Sequence, residues 1–147
     1  MKPVLVHLAV ILAVLAVGSG LGALFSPGAW YDALAKPWFT PPPWAFGPVW
    51  TVLYVLIGWA GARKLLYGGA RGLWAGQMAL NWSWSAVFFG LQWPIGGLAI
   101  ILGMLGLILA FIAAEWRADR LSAVLFLPYA VWVTIAAAVN AGVVWLN

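Results

Sequence analysis

Side chains able to do acid–base or covalent chemistry are scarce in this sequence: one histidine, three acids (Asp32, Glu115 and Asp119) and no cysteine in 147 residues. The lack of cysteine excludes disulfides, thiolate nucleophiles and thiolate metal sites. No nucleophile–base pair, carboxylate pair, glycine-rich phosphate loop or metal-ligand spacing occurs. His7 stands near the start of the chain, away from the acids. What remains is hydrogen bonding and stacking. Gln77, Asn81 and Ser85 are spaced i, i+4, i+8, with Trp84 and Phe88 on much the same helical face. Pro128, Trp132, Ala136 and Asn140 repeat every four residues, and Trp50 and Tyr54 are i, i+4. Three helical faces thus carry aromatic rings, two of them beside amides, residues that should look into a bundle interior rather than at lipid. Such faces either join helices through amide hydrogen bonds or line a ligand pocket.

The elements that carry them read as membrane spans. The chain is 66% hydrophobic and 7% charged, whereas soluble domains carry roughly 25% charged residues. Mean hydropathy is +1.04, and the ~10-residue alternation of transmembrane strands is missing. Apolar runs at about 4–25, 44–66, 72–92, 95–114 and 121–146 predict five spans in one domain covering 1–147. The first run continues through Phe25, past where a ~7–15-residue signal-peptide core would stop. Gly18 and Gly22 on it allow close helix approach. The fold class expected is therefore an all-α integral membrane protein, a five-transmembrane-helix bundle.

Between the first two runs, residues 26–43 form a proline- and tryptophan-rich loop, read as a stiff lid over a pocket. Lys2, Arg63, Lys64, Arg71, Arg117 and Arg120 fall on one side of the predicted membrane and Lys36 alone on the other. This asymmetry places the N-terminus in the cytoplasm, with the lid and the C-terminus outside. No basic cluster of the nucleic-acid-binding kind is present. Of the twelve tryptophans, Trp74, Trp93, Trp116 and Trp145 sit near span ends and fit an interfacial belt. Trp82, Trp84 and Trp132 lie mid-span, where each indole N–H needs an acceptor.

Taken in order, Trp30-Tyr31, Leu34, Lys36-Pro37, Pro41-Pro42, Trp50, Tyr54, Asn81, Trp84, Phe88-Phe89-Gly90, Pro128-Tyr129, Trp132 and Asn140 form a pattern. It resembles the tryptophan-rich sensory protein, or translocator protein, family over nearly the whole chain. The resemblance implies five transmembrane helices, commonly a homodimer, and a pocket beneath the first loop. It implies ligands such as protoporphyrin IX and haem, synthetic isoquinoline carboxamides and benzodiazepines, and in some members cholesterol. Carried onto matching positions, the pocket would comprise Trp30, Tyr31, Trp38, Trp50, Asn81, Trp84, Trp132 and Ala136. The helical faces add Tyr54 and Phe88.

The expected function is a membrane-embedded binding protein for porphyrins or haem, acting as a sensor or translocator, with the porphyrin as ligand and no obligatory cofactor. The alternatives are light-dependent porphyrin breakdown by the loop and pocket tryptophans, and transport of lipophilic substrates. Expected partners are the lipid bilayer and a second copy of the chain, and the expected location is a bacterial cell membrane. The segment Asn140 to Asn147 lacks the Tyr and following Lys or Arg of the family's cholesterol motif, which argues against specific cholesterol binding.

Overall fold

Prolines set the helix starts. Pro3, Pro43, Pro94 and Pro128 each stand in the first turn of a helix, where the missing N–H would have had no intrahelical acceptor. In the computed structural model, which describes residues 2–147, helix α1 spans Pro3–Leu24 and the short α2 spans Ala29–Ala33. Helix α3 covers Pro43–Tyr67 and α4 covers Arg71–Ser85. Helix α4 widens into a π turn at Ala86–Gly90, closed by the Leu91 N–H on the Ala86 carbonyl. Helices α5, α6 and α7 cover Pro94–Ala118, Arg120–Leu125 and Leu127–Leu146. No strand occurs among the described residues.

Among the described residues, four segments are long and apolar enough to cross a membrane: α1, α3, α5 and the α6–α7 stretch Arg120–Leu146. The fifth expected span, 72–92, falls short of that measure. Its α-helical part is 15 residues and carries Gln77, Asn81, Ser83 and Ser85. The last span is one segment in two pieces. Pro128 cannot donate to the Val124 carbonyl, and the chain steps at Phe126 between α6 and α7.

Helix α1 packs along α3, α4 along α5, and α5 along α7. The core follows the helical repeat of α5, where Ile101, Met104, Ile108 and Phe111 are buried while Leu102 and Leu109 on the other side are exposed. Leucines on the outside of helices, as also at Leu5, Leu8 and Leu12 of α1, are what a lipid-facing surface requires. Gly18 is the one glycine of the α1 pair in use. A Cβ there would run into the Tyr54 ring of α3, whereas Gly22 has nothing near it. Close approach of α1 and α3 at Gly18 thereby fixes where Tyr54 points. Arg63, Lys64, Glu115 and Asp119 gather at one end of the bundle. The 26–43 loop and the last turn of α7 meet at the other.

Candidate functional site

Beneath the loop, five rings close on one another. Helix α2 contributes Trp30 and Tyr31, α4 contributes Trp84, and the π turn contributes Phe88 and Phe89. Trp84 stacks on Phe88 at 4.8 Å and 19°. Trp30 meets Phe88 edge-on at 5.7 Å, and Tyr31 meets Phe89 at 5.4 Å. Edge-to-face and stacked geometries at these separations each contribute about 0.5–1.5 kcal/mol beyond burial. The wide turn matters because it lets both Phe88 and Phe89 reach Tyr31.

The Trp84 indole donates to Asn140 Oδ1 at 3.1 Å, and Asn140 Nδ2 donates to the Pro94 carbonyl at 2.9 Å. One amide thus locks α4, α7 and the start of α5 together. At the rim, Lys36 Nζ lies 4.5 Å from the Tyr31 ring centre and donates to the Leu34 carbonyl at 3.2 Å. Burial, and then the Asp32 carboxylate, raise the Tyr31 phenol above its ordinary value, so it stays neutral at pH 7.

One layer deeper, the polar groups form a relay. The Tyr54 hydroxyl donates to Asn81 Oδ1 (3.1 Å), Asn81 Nδ2 to the Tyr129 hydroxyl (2.7 Å) and the Tyr129 hydroxyl to Gln77 Oε1 (2.7 Å). Gln77 Nε2 ends the chain on the Trp74 carbonyl. Trp50 leans on both Tyr54 and Tyr129. In this layer, as at Asn140 above it, the amides join helices.

Of the ten sequence-derived site residues, Trp30, Tyr31, Trp84 and Phe88 come together under the loop. Trp50, Tyr54 and Asn81 come together around Tyr129. Trp132 stands apart with Phe46 at 5.6 Å, and Ala136 packs at the edge of the core. Trp38 is 95% exposed, with the Phe39 ring edge-on at 5.6 Å, so it belongs to neither group.

Sequence reasoning left Tyr129, Phe89 and Asn140 out of the site. The signal for Tyr129 was the true helical period: Tyr129, Val133, Ala137, Asn140 and Val143 are the buried face of α7, a repeat close to 3.5 residues. A strict spacing of four from Pro128 starts beside that face, at an exposed Pro128, and reaches it only at Asn140. Pro128 and Trp132 instead help line an apolar groove of about 500 Å³ between α3 and α7, with Pro48, Val52 and Leu53 opposite. The indole N–H groups of Trp82 and Trp132 are buried without an acceptor.

The opposite end holds a second polar cluster that spacing alone did not reveal. Lys64 and Glu115 are 2% and 1% exposed and pair at 2.6 Å, while Lys64 also lies 3.1 Å from Asp119. Arg63 grips Asp119 with two nitrogens at 3.0 Å, and the Ala70 N–H donates to Glu115 Oε1. Ser122 donates to Asp119 through both its hydroxyl and its N–H, which makes Asp119 the cap of α6. Burial alone would raise the Asp119 carboxyl. The bonds from Arg63, Ser122 and Lys64 more than offset this and hold it well below the usual carboxylate range.

A depressed folded-state pKa contributes stability that is present above the unfolded value, near 3.9, and is lost as pH falls toward the folded one. Thermal stability in detergent should accordingly be flat in this contribution from pH 8 to 5 and decline below about pH 4. In Asp119→Asn that share of the acid decline should disappear.

Fold and site together define a multi-pass helical membrane protein whose interior is lined by aromatic rings and amides. The TspO/MBR family model matches residues 9–146, and the chain belongs to this family. It is 39% identical over 140 residues to Protein CrtK of Rhodobacter capsulatus, covering 90% of this chain and 87% of that protein. To the tryptophan-rich sensory protein of Cereibacter sphaeroides it is 39% identical over 129 residues, covering 86% and 82%. To the translocator protein of Homo sapiens it is 34% identical over 135 residues, covering 84% and 80%.

Proposed function

We propose that the protein binds a planar tetrapyrrole, protoporphyrin IX or haem, between α2 and the Trp84–Phe88 stack, as a membrane sensor or translocator. The observation that carries this reading is the five-ring cluster directly beneath the loop. Its rings are joined to α2 by edge contacts only, while the Trp84 side is fixed by Asn140. A flat apolar ligand can therefore replace Trp30 and Tyr31 against Phe88 if α2 lifts, without disturbing the hydrogen bonds below. Lys36, which now donates to backbone carbonyls, then becomes a cation for a propionate.

The same reading takes α4 with its π turn as a fifth span. Its 20 residues, Arg71 to Gly90, would measure about 30 Å at helical rise, the thickness of a bilayer core. Its amides Gln77 and Asn81 are buried in the bundle, and Ser83 donates to its own helix at the Leu80 carbonyl. The charge asymmetry supports a cytoplasmic N-terminus, with the charged cluster inside and the loop outside. The exposed small residues Gly72, Ala75 and Ala79 of α4 suit close packing against a second copy. A bacterial cell membrane is the proposed setting.

Titration with protoporphyrin IX, read as quenching of tryptophan fluorescence, tests the site. Trp30→Leu should weaken binding about three- to tenfold, the equivalent of one lost stacking contact. Trp116→Leu, at the charged end, should leave it unchanged. Equal affinities in wild type and Trp30→Leu would remove α2 from the site.

A further inference from the structure

The segment that lacks the cholesterol motif has another occupation. Asn147, just beyond α7, forms a reciprocal amide pair with Ala35 in the loop. The Ala35 N–H donates to Asn147 Oδ1 at 3.1 Å, and Asn147 Nδ2 donates to the Ala35 carbonyl at 2.9 Å. The same Nδ2 donates to the Val143 carbonyl at 2.8 Å, so the side chain is held by its own helix before it meets the loop. Five residues back along α7, Gly142 provides a seat for Pro37. A Cβ at that position would stand 2.5 Å from Pro37 Cγ. Pro37 in turn accepts from the N–H and hydroxyl of Thr40 through its carbonyl. Lys36, between the two contact points, ties the Asp32 and Leu34 carbonyls together. The stretch from Asp32 to Thr40 is thus a stiff strap, joined at one end to α2 and clipped to α7 at Ala35 and Pro37.

We propose that Asn147 and Gly142 form the latch of the lid. They are positioning residues that hold α2 over the aromatic cluster and so set how long a ligand stays beneath it. The two contacts differ in kind and share no atoms, a directional amide pair and a steric seat. Both are 100 or more residues away in sequence from the segment they hold. The Asn147 amide bonds only to backbone groups of Ala35 and Val143, and the atoms nearest a Cβ on Gly142 are those of Pro37, so neither substitution removes one of the ring–ring contacts. The part concerning the ligand rests on the tetrapyrrole reading; the latch itself does not.

Hydrogen exchange in the full-length protein in detergent or nanodiscs tests the latch without any ligand. In Asn147→Ala, amides of residues 31–40 should exchange about tenfold faster, the order expected for losing a pair of exposed hydrogen bonds. Exchange in α4 and α5 should not change. Gly142→Ala keeps the amide pair and favours helix in α7, so its fold is secure. It should speed exchange around Pro37 by unseating the ring. Unchanged exchange in both variants would overturn the latch.

Release of protoporphyrin IX into excess lipid vesicles tests the second half. Asn147→Ala should release it several-fold faster than wild type. Faster exchange with unchanged release would overturn the role of the latch in ligand residence. If wild-type protein fails to bind protoporphyrin IX at all, the tetrapyrrole reading fails, and the exchange result alone decides for or against the latch.

Discussion

Replacing Glu115 with leucine is expected to destabilise the folded bundle by about 3–5 kcal/mol, because Lys64 is then left as a buried charge without its main partner. Both side chains are almost fully removed from solvent, so water cannot replace the lost carboxylate. The Ala70 N–H also loses its acceptor. Asp119, 3.1 Å from Lys64, softens the loss but is already engaged by Arg63 and Ser122. The double substitution Lys64→Met with Glu115→Leu should recover most of it, to within about 2 kcal/mol of wild type, since an apolar pair of similar volume often matches a buried ion pair. Unfolding in mixed micelles of rising SDS fraction measures both. A single-variant loss below about 1 kcal/mol, the value of a surface pair, would mean that the cluster is hydrated and contributes little to joining α3, α4 and α5.

The second large effect falls at Tyr129→Phe, with an expected loss of about 1–3 kcal/mol. Interhelical hydrogen bonds in membranes contribute about 0.6–1.7 kcal/mol each, and this hydroxyl makes two with amides, besides a 3.4 Å contact to Met104 Sδ. It accepts from Asn81 and donates to Gln77 in a fully buried position, so its removal leaves a donor and an acceptor unpaired at once. The ring remains, and with it the contacts to Trp50 and Phe126, which separates the hydrogen-bond cost from packing. Tyr54→Phe removes only one donor, at the half-buried start of the relay. It should cost about 1 kcal/mol or less. Equal losses for the two would indicate that the relay does not act as a connected unit.

What could be read from the sequence was mostly what repeats locally along one helix. Trp84, Phe88 and Asn81 share a face because side chains three and four residues apart are neighbours, and the structure places them accordingly. The mid-span need of Trp84 for an acceptor was also legible, and Asn140 meets it. The ion pair Lys64–Glu115 was not legible, because 51 residues separate its members and charges near span ends ordinarily face water. Nor was the register of α7, where a spacing of four and the true period diverge by about 40° for every four residues. Trp38 has the residue type of a pocket wall but stands in solvent beside Phe39, even though its neighbour Pro37 seats against Gly142 of α7. The π turn left no mark in composition; its effect is to bring two adjacent phenylalanines to the same neighbour.

A tetrapyrrole beneath α2 against Trp84 and Phe88 would reveal itself by where it acts on the protein. Protoporphyrin IX generates singlet oxygen under light, which oxidises the tryptophans nearest to it. After brief illumination of the complex at one equivalent of porphyrin, mass mapping of the twelve tryptophans should find oxidation concentrated at Trp30 and Trp84, with Trp59 and Trp116 at the charged end spared. Oxidation spread evenly over the exposed tryptophans, or led by Trp59 and Trp116, would contradict the site.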